Sequence, residues 1–75
     1  MVSKQERQEI LQKLVKTLKE NIVVSDLDLR YLEREKIKGK ALADIERSIT
    51  STKQLKQAIE EKLRTAEDEI KDLQL

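Results

Sequence analysis

The chain contains no proline and a single glycine, Gly39, and this near-absence of helix breakers constrains its fold more than any other feature. An interior proline costs a helix about 3 kcal/mol and a glycine about 1 kcal/mol. The remainder is dominated by Leu, Glu, Lys, Gln and Arg, all good helix formers, so α-helix is the only regular structure the composition favours. Charged residues make up 41% of the chain, enough to raise intrinsic disorder as the competing expectation. The spacing of the apolar residues argues for folded helices instead.

Three helices are expected within a single helical domain spanning residues 1–75. Ser3-Lys4-Gln5-Glu6 has the spacing of a capping box, and Ile10, Leu11, Leu14, Val15 and Leu18 follow at helical period. Asn21 tolerates a left-handed conformation, and the β-branched run Ile22-Val23-Val24 disfavours continuation, so the first helix is placed at about 4–20. Ser25-Asp26-Leu27-Asp28 offers a serine N-cap with acidic residues in the following turn, and Val24 and Leu29 stand at hydrophobic-staple positions. Arg34, Lys36, Lys38 and then Gly39 suit a C-terminus, which places the second helix at 26–38. A long amphipathic third helix is expected over 40–73, with Leu42, Ile45, Ile49, Leu55, Ile59, Leu63, Ala66, Ile70 and Leu73 as its apolar positions. Ser48-Ile49-Thr50-Ser51-Thr52 interrupts that pattern with residues of modest helix propensity. The spacing fits either a break or bend at 48–52 or one continuous helix. Apolar residues alone do not hold a strict seven-residue register long enough to predict an extended coiled coil.

Several function classes are disfavoured by what is missing. Cysteine and histidine are both absent, so disulfide bridges, thiolate zinc sites, imidazole bases and thiol nucleophiles are excluded. Gly39 stands alone, so there is no glycine-rich phosphate loop. The acidic groups Glu60-Glu61 and Glu67-Asp68-Glu69 fit the charge lacing of a solvated helix with Arg64 and Lys71. No enzymatic role, cofactor, metal or small-molecule substrate is therefore expected. The longest apolar run, Ile22-Val23-Val24, falls far short of the ~20 residues of a membrane span. The charged N-terminal residues give no secretory h-region, and the lack of cysteine fits a cytoplasmic protein.

What the sequence does predict is association. A chain of 75 residues buries only about 60% of the surface its unfolded form exposes, and nothing here staples it. A long C-terminal helix would extend past two shorter partners, leaving Leu63, Ile70, Leu73 and Leu75 to be covered by another chain. The expected function is a non-enzymatic protein–protein interaction module that self-associates or serves as a small subunit of a larger assembly. Its predicted partner interface is Leu55, Ile59, Leu63, Ile70 and Leu73. Tyr31, the one aromatic, sits between Leu27 and Leu32 and is read as a core residue with its hydroxyl at the edge, the other reading being an exposed partner anchor.

Charge distribution supplies an alternative. Net charge is +1, but residues 1–40 carry ten basic and seven acidic side chains, while 41–75 carry six and eight. The basic segment 30–40 provides Arg30, Arg34, Lys36, Lys38 and Lys40 as candidate phosphate contacts for an accessory or regulatory subunit in nucleic-acid transactions. Leu63-Arg64-Thr65-Ala66-Glu67-Asp68-Glu69-Ile70-Lys71-Asp72-Leu73 resembles the last helix of the small subunit of bacterial exonuclease VII. Leu14-Val15-Lys16-Thr17-Leu18 followed by Tyr31-Leu32-Glu33 loosely resembles its earlier part. Too many residues separate the two segments for both to align, and the glycine expected before the second helix is absent. Amphipathic Leu/Glu/Lys helices match one another this well by composition, so the likeness assigns no family and adds only the idea of an accessory subunit.

Overall fold

The computed structural model describes residues 1–74, so the placement expected for Leu75 lies outside the described residues. It consists of two helices, α1 over Lys4–Ile37 and α2 over Leu42–Gln74, folded back on each other through a short turn. Ion pairs Arg7–Glu69, Asp26–Lys56 and Lys36–Glu46 join them with numbering that runs in opposite senses, so the hairpin is antiparallel. It measures 53 × 20 × 14 Å.

The all-α expectation stands, but the three-helix arrangement is overturned. The segments expected at 4–20 and 26–38 are one unbroken helix. Neither proline nor glycine lies between them, and β-branched residues lower helix propensity only by tenths of a kcal/mol, which packing overrides. Ile22 is half-buried there. The Ser25 hydroxyl, expected to cap a new helix, instead donates back to the Asn21 carbonyl at 3.0 Å, the usual bond of a serine inside a helix. The helix expected from residue 40 starts at Leu42 and runs without a break through 48–52. Ile49 is buried and Thr52 half-buried in that stretch, so its contact with α1 holds it helical.

The ends of α1 behave as their chemistry requires. Ser3 has an extended backbone, and its hydroxyl oxygen accepts the Glu6 N–H at 3.1 Å. At the other end the Lys38 and Gly39 N–H groups donate to the Glu35 and Lys36 carbonyls in a tightened last turn. Gly39 then takes φ 76° and Ala41 φ 49°, two left-handed residues that reverse the chain before α2.

Burial reveals a pattern that apolar spacing concealed. The residues withdrawn from solvent on α1 include Gln8, Leu11, Val15, Leu18, Ile22, Ser25, Leu29 and Leu32, separated alternately by three and four. On α2 they include Ile45, Ile49, Thr52, Lys56, Ile59, Leu63, Ala66, Ile70 and Leu73, again in alternating fours and threes. This is the heptad seam of a coiled coil, sustained along both helices. The seven-residue register does hold, contrary to the expectation from apolar residues alone, because Gln8, Ser25, Thr52 and Lys56 occupy seam positions. The core it builds is thin. Leu18, Ile49, Ala66 and Ser25 are buried, while among the described residues no side chain is wholly removed from solvent.

Candidate functional site

The seam divides the hairpin into two flanks of different character. One flank presents Gln12, Lys19, Asp26 and Glu33 from α1 beside Glu46, Lys53, Glu60 and Glu67 from α2. Lys56 reaches Asp26 and Glu60 on this side, and Lys36 reaches Glu46 at 3.8 Å. The Asp26 carboxylate, as a hydrogen-bond partner, holds the Lys56 ammonium above its usual pKa of 10.5; partial desolvation opposes this, and the charges of Asp26 and Glu60 add to it.

The other flank carries an apolar groove bordered by charged and polar side chains. Heptad spacing brings Ile10, Leu14, Val24 and Tyr31 of α1, together with Arg7, Asn21 and Asp28, to the same side as Leu55, Ala58, Lys62, Thr65 and Glu69 of α2. At mid-length an open groove lies between the helices, with Leu18 and Val24 on one wall and Leu55, Ala58 and Ile59 on the other. Val24 is 55% exposed and Leu55 58% exposed, so both stand at the rim. Asn21, Ser25, Asp28 and Lys62 are its polar residues. A second depression, lined by Leu11, Leu14, Lys62, Thr65, Ala66 and Glu69, continues the groove toward the open end of the hairpin. There the Arg7 guanidinium donates to Glu69 at 3.0 Å.

The predicted interface residues are divided by this geometry. Leu55 stands at the groove rim, and Ile59 is half-buried in its wall. Leu63, Ile70 and Leu73 are half-buried on the seam toward α1, because α1 is as long as α2 and leaves no overhanging stripe. Tyr31 is 62% exposed, which overturns the core reading. It occupies an outer position beside Leu27, Arg30 and Arg34, one heptad beyond Val24.

The basic segment does not gather on one face. Arg30 and Arg34 are exposed on the outside of α1, Lys36 lies toward Glu46, Lys38 pairs with Glu35 at 3.0 Å, and Lys40 is exposed in the turn. Sequence reasoning missed Val24 and Ala58. Their positions relative to the seam would have identified them, had a heptad containing polar residues been allowed. No known protein family, curated protein or solved structure matches the chain. Among the described residues no helix is long and apolar enough to cross a membrane.

Proposed function

We propose that this chain is a non-enzymatic helical interaction module whose apolar flank is the docking face for a partner helix or helices. The observation that carries the reading is the open apolar-walled groove between the helices. Val24 and Leu55 stay exposed at its rim, beside walls formed by Leu18, Ala58 and Ile59. Leu55 and Ile59, from the interface expected on the C-terminal stripe, contribute to this face together with Val24 and Ala58. The basic segment carries less weight as a second reading, since Lys36 and Lys38 already have acidic partners and only Arg30 and Arg34 share a surface.

The test compares the wild-type chain with the Val24→Lys/Leu55→Lys double variant and a polar-flank control, Lys19→Glu. Sedimentation of the pure proteins and affinity capture from the native lysate are both measured. An association present in wild type and control and lost from the double variant is the expected result. Identical behaviour of all three, with folding verified by circular dichroism, would rule the reading out.

A further inference from the structure

We infer that the occupant of the apolar flank is a second copy of this chain, turned end over end about a two-fold axis near the level of Val24 and Ala58, so that two hairpins form a four-helix bundle. This rests on the interaction-module reading and names its partner.

Surface area gives the first argument. A folded monomer of 8.8 kDa exposes about 4,800 Å² by the usual scaling of area with mass, whereas this chain exposes 6142 Å². Removing the excess of roughly 1,350 Å² from each of two chains would bury about 2,700 Å² in total, within the ~2,000–5,000 Å² of obligate homodimers. Four-helix packing is the arrangement in which two helical pairs cover such faces.

Charge gives the second argument and selects the orientation. The Asp26–Lys56 and Lys36–Glu46 pairs share one register over the turn-side half of the hairpin, and in that register Val24 is level with Ala58. Asp28 lies four residues from this level toward the turn, and Lys62 lies four residues from it toward the open end. A two-fold axis through that level and perpendicular to the helices exchanges these heights. Asp28 of each copy then comes level with Lys62 of the other, twice per dimer, as an isologous interface requires. A pair with both turns at the same end would keep Asp28 level with its own copy and Lys62 with its own. Ala58, a small side chain at the axis level, allows the two faces close approach. A net charge of +1 per chain opposes the association very little.

Sedimentation equilibrium of the full chain, from about 1 to 100 µM, is the deciding experiment; a dimer at micromolar protein is expected. The Val24→Lys/Leu55→Lys variant should weaken dimerisation by about 100-fold or more, since each change counts twice across a two-fold interface. Asp28→Lys and Lys62→Asp should each weaken the homodimer by on the order of 10-fold. Mixing those two single variants one to one should restore wild-type affinity, because both cross-pairs in the mixed dimer are again of opposite charge. A dimer that the mixture fails to restore would overturn the end-over-end orientation. A wild-type chain that is monomeric throughout, yet captures another protein through Val24 and Leu55, would overturn the second copy and leave the module reading standing. A monomer with no flank-dependent partner would overturn both.

Discussion

Lys56 occupies a seam position that coiled coils ordinarily fill with an apolar side chain, and its surroundings show how the position is tolerated. Its stem lies along the seam while the ammonium turns out to Asp26 and Glu60 on the polar flank. Because Asp26 raises the folded-state pKa of Lys56 above 10.5, the charged form favours folding. That contribution is complete below about pH 10.5 and disappears as pH rises through the raised folded value. The melting temperature of Lys56→Met relative to wild type should therefore be constant from neutral pH to about pH 10 and shift in favour of the variant above it. Thermal melts across that range check this; a difference that already changes between pH 7 and 9 would contradict it. Ser25 is the second polar seam residue of this region, buried to 5% exposure with its hydroxyl satisfied within α1. Polar seam residues of this kind favour one alignment of the helices at some cost in stability. They also explain why the coiled coil was hard to read from composition: a search for apolar heptads loses the register at Gln8, Ser25, Thr52 and Lys56.

At the scale of the element, the turn carries the most strain. Gly39 has φ 76°, with open space where a side chain would project, so Gly39→Ala should destabilise by about 1 kcal/mol through backbone conformation alone. Ala41 has φ 49° and already bears that penalty, so Ala41→Gly should stabilise by about 0.5–1 kcal/mol after the extra freedom of the unfolded chain is counted. Urea unfolding of the two variants should show midpoints moving in opposite directions, and shifts of the same sign would refute the argument. The helical character of the chain, the Ser3 start and the Gly39 stop were legible because each depends on local chemistry. The continuity of α1 was not. Asn21, the β-branched run and Ser25 together resemble a boundary, and only the partner helix, a long-range feature, holds residues 21–26 helical.

For the whole molecule, the two long helices enclose a narrow core and leave an apolar-walled groove open on one flank. Part of that face was legible: Leu55 and Ile59 fall on the α2 stripe by spacing alone. Val24, Ala58 and the exposure of Tyr31 depend on knowing that the chain reverses once, at Gly39, because only that pairing divides the apolar residues into a seam and a flank. The single reversal has a consequence for how the chain reaches this state. The turn holds the Leu32 and Ile49 layer close together at once, and each later layer closes a loop only slightly longer than the last, at small added entropy. The hairpin itself is therefore expected to zip from the turn outward on a timescale faster than about a millisecond, an intrachain step independent of concentration that precedes the docking of two copies. In rapid-mixing or temperature-jump experiments, Gly39→Ala should slow the folding rate, whereas Leu11→Ala, near the open end, should mainly accelerate unfolding. The opposite assignment would show that the ends of the chain meet first. On this route Arg7 and Glu69 are the last groups to pair in folding and the first to separate in unfolding, so the far ends of the helices fray most readily.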